Sequence, residues 1–163
     1  MAEQNPNSAL RQYVTFKLDE EFFALNVSQV REVLEVSVVT KVPRSADFMR
    51  GVINVRGSVV PVADLRLKFG MMPADMTVDT RILVMELAID GATTILGVIA
   101  DSVHDVMEIS EDGIEPAPRI GTKFDTRFIS GIGKCDDQFI IILDIDKVFS
   151  TEEAGLLEKD QAA

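Results

Sequence analysis

Between residues 13 and 143 the chain alternates short apolar runs, rich in Val, Ile and Phe, with tight clusters of turn-forming residues. The pattern predicts strands over 13–18, 22–27, 30–38, 51–56 and 58–63 in the first half. In the second half it predicts strands over 81–89, 93–100, 103–109, 131–135 and 138–143. Asp19-Glu20-Glu21, Asp90-Gly91 and Asp136-Asp137 read as turns between neighbouring strands. One stretch carries two signals. In VSQVREVLE, Val27, Val30, Val33 and Leu34 recur at helical spacing behind a capping Asn26, while the β-branched content favours a strand from about residue 30. A single helical turn followed by a strand satisfies both.

The two halves repeat each other. VREVLEVSVVTKVP aligns Val30 with Val103 of VHDVMEISEDGIEP, a spacing of 73 residues. FMRGVINVRGSVVPVADLRLKF aligns Phe48 with Phe128 of FISGIGKCDDQFIIILDIDKVF, a spacing of 80, so the loop at 117–127 holds the seven extra residues. Phe48/Phe128, Gly51/Gly131, Asp64/Asp144 and Phe69/Phe149 are identical pairs. Two matched blocks in the same order mark a tandem duplication of a five-stranded unit.

Five short antiparallel strands around an apolar interior close most economically into a small barrel, which also removes exposed edges. The expected fold is therefore all-β: two tandem five-stranded barrels of SH3/OB-like type, with short helical turns and a C-terminal helix. The barrels are placed at about 13–70 and about 80–149 within one domain spanning 13–149, with edge strands open to exchange between them. Residues 1–12 are expected to be a flexible tail. Asp64 and Asp144 stand where the helices after the last strands need an N-cap, and Phe48 and Phe128 are expected to pack beneath the turns before Gly51 and Gly131. STEE at 150–153 is a capping box, followed by Leu156 and Leu157 on one face of a helix expected to lie against a barrel.

Composition narrows the function classes. Nearly half of the 163 residues are hydrophobic, enough for a sizeable core. The longest apolar runs, such as 139–143, are far too short for a transmembrane helix. The N-terminus has neither the basic nor the apolar region of a secretory leader. A single cysteine fits a reducing compartment, and a net charge of −11 disfavours nucleic acid and anionic lipid. The expectation is a cytoplasmic protein without direct membrane contact.

Candidate chemistry is sparse. His104, the one histidine, aligns with Arg31, as an exposed position would. Cys135 aligns with Val55 and reads as a buried thiol. No His/Cys pairing suggests zinc, and no G-x-S-x-G elbow is present. Gly131-Ile132-Gly133-Lys134 lacks the first glycine and the Ser/Thr of a phosphate loop. The acidic pairs fall at turns. No cofactor, metal or catalytic constellation is expected.

What differs between the repeats is more informative. Asn54-Val55-Arg56-Gly57 in the first becomes Lys134-Cys135-Asp136-Asp137 in the second, so Arg56 is not required by the repeated scaffold. A solvated turn arginine is one reading. The other is an arginine held for recognition by its planar, permanently ionised fork, with Glu32 as its intramolecular partner beside the apolar strand of Val30 and Val33.

VREVLE at 30–35, P-x4-F-x-x-G-V-I-N-V-R-G-S-V-V-P-V-x-D-L-R-x-x-F at 43–69, LGVIADSVHDVMEI at 96–109 and FISGIG at 128–133 resemble the CheW chemotaxis coupling family. The likeness runs from about residue 13 to 149 and suits a free-standing member, without receiver or kinase regions. It implies two SH3/OB-like barrels with intertwined edges and a groove between them. It also implies a non-enzymatic adaptor that joins the cytoplasmic hairpin tip of chemoreceptors to the regulatory domain of the CheA histidine kinase, with further copies of itself in rings at membrane-anchored arrays. By the same resemblance Arg56 matches the turn arginine, Glu32 its acidic partner, and Val30 and Gly51 receptor-contact positions. Val33 and Asn54 adjoin these, and Val103 and Val106 match groove-facing positions of the second barrel. No kinase-contact residue follows from the likeness. The alternative class is an OB-like binder of small ligands or oligonucleotides.

Overall fold

The computed structural model describes residues 10–43, 46–89, 91–116, 128–135 and 138–149, leaving out the side chains of Leu10, Ile89 and Cys135. The tail expected over 1–12 is shorter, because residues 10–12 already belong to the first strand and pair with the strand Ser102–Ser110. Residues 1–9, the loop 117–127, the C-terminal helix and the packing of the Cys135 thiol lie outside the described residues. The strands are β1 (Leu10–Leu18), β2 (Glu21–Asn26), β3 (Val30–Glu35), β4 (Met49–Val55), β5 (Ser58–Asp64), β6 (Arg81–Ile89), β7 (Ala92–Ala100), β8 (Ser102–Ser110), β9 (Ile114–Glu115), β10 (Ile129–Cys135) and β11 (Gln138–Leu143). One single-turn helix follows the last strand of each repeat, α1 (Leu65–Lys68) in the first and α2 (Ile145–Val148) in the second. Both signals in VSQVREVLE are realised. A 3-10 turn spans Val27–Gln29, capped by the Asn26 carboxamide accepting from Ser28 N–H at 2.9 Å, and β3 follows. That strand stops at Glu35, short of the expected residue 38.

The protein is mostly β, arranged as two barrel-like sheets. One has the order β8-β1-β2-β11-β10-β9 and the other β3-β6-β7-β5-β4. Repeats and sheets cut the chain at different places. The second sheet uses consecutive chain from β3 to β7, and the first combines the β1–β2 hairpin with β8 to β11. Each sheet thus holds the first hairpin of one repeat and the remaining strands of the other: β3, β4 and β5 in the five-stranded sheet, and β8, the two-residue β9, β10 and β11 in the six-stranded one. Parallel joints seal both insertions: β2 pairs β11 through Phe22–Ile140, Phe23–Ile141 and Ala24–Ile142, and β5 pairs β7 through Val62–Gly97, Ala63–Val98 and Asp64–Ile99.

Neither sheet closes fully through its ladder, and the chain itself spans each seam. After β3 the backbone returns to β4 through Thr40, which exchanges both bonds with Val52 at 2.9 and 2.8 Å. After β8 it returns as β9, which pairs β10. Gly51 permits the first return. Its φ is +141°, and a Cβ there would collide with the Thr40 carbonyl.

Three apolar cores result. Ile53, Val60, Val62, Ile82, Val84 and Ile99 fill one barrel, and Tyr13, Ala24, Ile109, Ile140 and Ile142 the other. The largest lies between the sheets and includes Phe16, Leu18, Phe23, Leu25, Leu83, Met85, Leu143 and Phe149. A strand lining two cores must be apolar on both faces. That is why β11 reads FIIIL: Ile140 and Ile142 enter a barrel, while Leu143 enters the central core and Ile141 packs against it. The identical phenylalanines lock the repeats together reciprocally. Phe48 meets Phe149 at 6.0 Å between centroids and Phe128 meets Phe69 at 6.1 Å, while Lys68 Nζ lies over Phe48 and Phe128 at 4.9 and 5.4 Å.

Candidate functional site

The β4–β5 hairpin turns on Arg56 and Gly57, with φ of +52° and +87°. A two-residue loop with both φ positive matches the twist of antiparallel strands. Asn54 supports it by accepting the Gly57 N–H at its side-chain oxygen, 2.8 Å away. Arginine in the left-handed region is uncommon, because its Cβ crowds the backbone there. The turn carries the Arg56 guanidinium to β3, where Nη1 and Nη2 donate to Glu32 Oε2 and Oε1, both at 2.9 Å. This is the fork-to-carboxylate geometry expected of a strong pair. The partnership anticipated between Arg56 and Glu32 is therefore present, and it crosses from one edge strand of the sheet to the hairpin at the other.

The pair is lopsided. The Arg56 side chain is 79% exposed and that of Glu32 21%. An ion pair so exposed adds about 0–1 kcal/mol to stability. Its physical effect is orientation: a long cationic side chain that would otherwise sample many rotamers is held in one.

Beside it, β3 presents Val33, 42% exposed, while Val30 is half-buried and packs on the central core. Their repeat counterparts on β8 behave alike. Val106 is 52% exposed and Val103 packs on the same core. Both strands bulge at equivalent places. Between Val30 and Glu32 the β3–β6 register slips at Arg31, and between Val103 and Val106 the β8–β1 register slips across His104 and Asp105. A bulge re-aims the side chains that follow it. The Asp105 carbonyl beside the second bulge accepts from Thr15 Oγ1 at 2.8 Å. His104 is exposed, as its pairing with Arg31 suggests, with Nε2 2.9 Å from Ser102 Oγ and its ring edge-on to Phe22. Asn54 is exposed at the hairpin, whereas Gly51 is buried beneath Thr40.

Two sets of charged contacts escaped the sequence reading, one at the expected cap Asp64 and one around Arg66. Asp64 caps α1 by accepting from Arg66 N–H at 2.9 Å, as expected, and also takes a 3.1 Å bond from Arg50 Nη1. Asp144 occupies the matching N-cap position without a side-chain cap, and it lies 3.7 Å from Lys147. The counterpart of Arg50 is Ser130, so the second copy has no cation there to justify burying the carboxylate.

Arg66 itself is only 12% exposed. Its Nε and Nη2 donate to the Asp101 carboxylate at 2.9 and 2.6 Å, Nη2 also to Asp19 Oδ1 at 2.6 Å, and Nη1 to the Met72 carbonyl at 2.8 Å. Burial pushes the Asp101 carboxyl up, but the bonds from Arg66 and from Asp19 N–H outweigh it and hold the group below its ordinary value. Arg66 is held charged, chiefly through its bond to Asp101. The D-L-R at 64–66 was the available signal: an arginine next to a buried cap, aligned with Asp146 in the other repeat.

A separate groove of about 630 Å³ opens on the first sheet, floored by Phe22, Ile132, Phe139 and Ile141 and rimmed by Glu20, Glu21 and Glu115. Its carboxylates carry the wrong sign for a nucleic-acid backbone. Among the described residues no group of three or more His, Cys, Asp or Glu side chains could hold a metal ion, and no helix is long and apolar enough to cross a membrane.

Fold and site together define a class: paired small β-barrels made by duplication, with exchanged hairpins and an ordered arginine on a surface turn. The model of the CheW-like domain matches residues 12–153. The chain is 31% identical over 153 residues to a probable chemotaxis protein CheW of Rhizobium etli, covering 94% of this chain and 96% of that one. It is also 31% identical over 150 residues to the chemotaxis protein CheW of Bacillus subtilis, with 91% and 93% covered. The crystal structure of the scaffolding protein TtCheW from Thermoanaerobacter tengcongensis superposes with a TM-score of 0.78 at 35% identity, covering 94% and 96%. The chain belongs to the CheW family, the scaffold and coupling proteins of chemotaxis.

Proposed function

We propose that this protein is a non-enzymatic adaptor that couples chemoreceptors to the CheA histidine kinase and thereby regulates kinase activity in chemosensory arrays. The observation that carries the reading is Arg56, exposed yet held by Glu32 on a turn that the repeated scaffold does not need it for. An ordered cation flanked by the exposed Val33 and Asn54 suits the polar and apolar faces of a helical receptor tip, docked helix-in-groove. Val30 and Val103 support the surface from beneath, and Val106 extends it on β8. Gly51 contributes by shaping β4.

The receptor partner is the cytoplasmic hairpin tip, and the kinase partner is the CheA regulatory domain. Further copies of this chain join them in rings. The protein works in the cytoplasm, recruited to membrane-anchored receptors, and needs no cofactor.

Arg56→Asp tests the reading. Aspartate tolerates the left-handed backbone of the turn, so the variant is expected to fold normally and to lose receptor-dependent kinase activation in a reconstituted array. Undiminished activation by that variant would remove Arg56 from the site.

A further inference from the structure

The residues just before β3 and β8 are each gripped by the terminal helix of the other repeat. Asp101, immediately before β8, is held by Arg66 of α1 through two bonds at 2.9 and 2.6 Å. Gln29, immediately before β3, is held by Asp146 of α2, whose Oδ1 accepts from Gln29 Nε2 at 3.2 Å and from Ala88 N–H at 3.1 Å. Arg66 and Asp146 are repeat counterparts at the same spacing of 80 as Phe48 and Phe128.

Each grip crosses between sheets. Arg66 leaves the end of β5 and reaches the β1–β2 turn at Asp19 as well as the start of β8. Asp146 leaves the end of β11 and reaches β6 as well as the start of β3. The chemistry is inverted: a cation between two carboxylates on one side, a carboxylate between two neutral donors on the other.

We propose that Arg66 and Asp146 are positioning residues that fix the separation of β3 and β8, and with it the spacing between Val33 beside Arg56 and Val106 on the opposite strand. Two strands in different sheets are otherwise set by side-chain packing, which resists compression better than sliding. Directional bonds at the root of each strand supply what packing lacks. That this spacing serves receptor docking rests on the adaptor reading above. The spacing itself can be measured without any partner.

The test places nitroxide labels at Val33→Cys and Val106→Cys in a Cys135→Ser background and measures their distance distribution by pulsed electron resonance. The otherwise unaltered chain is expected to give one narrow distribution. Arg66→Ala and Asp146→Ala are each expected to shift and broaden it, with cooperative unfolding retained. If Arg66→Ala does not fold, Arg66→Lys, which keeps the charge and loses the fork, takes its place beside Asp146→Ala. Unchanged distributions in folded variants at both positions would overturn the proposal.

A soluble receptor hairpin fragment then provides the second measurement. Loosening either grip is expected to weaken its binding about tenfold, the usual size of coupling between sites, while Arg56→Asp abolishes binding and leaves the distance unchanged. Altered distances with undiminished affinity would overturn the link to docking. A fragment that fails to bind even the unaltered chain would overturn the adaptor reading and leave the distance result standing.

Discussion

Arg56 and Arg66 lie ten residues apart in one motif, and both make ion pairs at hydrogen-bonding distance, yet they differ in what the fold asks of them. Arg56 crosses an open seam to a single carboxylate and keeps most of its side chain in water. Arg66 binds two carboxylates and a carbonyl from three separate segments and is nearly enclosed. In the first pair water screens the charge, so little stability depends on it. In the second, removing the cation would leave Asp101 and Asp19 facing each other without their counter-charge, and the cost is large. One arginine is displayed by the fold, the other consumed by it.

The contrast is sharpest in stability. Arg66→Ala is expected to lower the unfolding free energy by about 3 kcal/mol, read from urea denaturation. Parity with the unaltered chain would mean that the network is dispensable. Gly51→Ala should cost about 2 kcal/mol through its positive φ and the encroachment on Thr40. Any binding defect it shows should therefore track loss of fold, unlike that of Arg56→Asp. Equal melting temperatures for the Gly51 and Arg56 variants would refute that distinction.

Acid probes the Arg66 network next. Asp101 has a depressed carboxyl pKa in the folded state, so its contribution is complete above the ordinary value of 3.8 and is lost as pH falls through the folded value. Asp101→Asn should flatten the stability profile below about pH 4, and an unchanged slope in acid titrations would contradict the sign. Arg56→Asp is expected to have the smallest thermodynamic effect, under about 1 kcal/mol, with the largest functional one. Calorimetry beside an array assay checks both halves of that statement.

Much of the strand pattern was legible because alternation and duplication report the same boundaries twice. The end of β3 was not. Residues 36–38 keep a β-like composition, but the backbone must leave β6 there to reach Val52 through Thr40. The Arg56–Glu32 pair could be anticipated because a strand and a turn of one barrel bring the two residues together. Arg66 could not, since Asp101 and Asp19 lie 35 and 47 residues away on elements that meet only after the hairpins have exchanged. A duplicated sequence reads the same whether each hairpin enters its own repeat or the other, so the repeat can single out Arg66 but cannot name its partners. The capping aspartates show a milder form of this. Identical residues at 64 and 144 behave differently because Arg50 accompanies only the first.

The interrupted course of the first sheet has a kinetic consequence. All five strands of the other sheet, β3 to β7, are contiguous, so that sheet can assemble as soon as β7 has left the ribosome. The β1–β2 hairpin is made earliest and finds its partners last, because β8 and β11 lie some 80 to 120 residues downstream. Until then Phe16, Leu18, Phe23 and Leu25, all fully buried in the finished molecule, have no sheet to enter. The hairpin is the segment a nascent-chain chaperone would be expected to shield, and slowing translation after β7 should prolong its exposure.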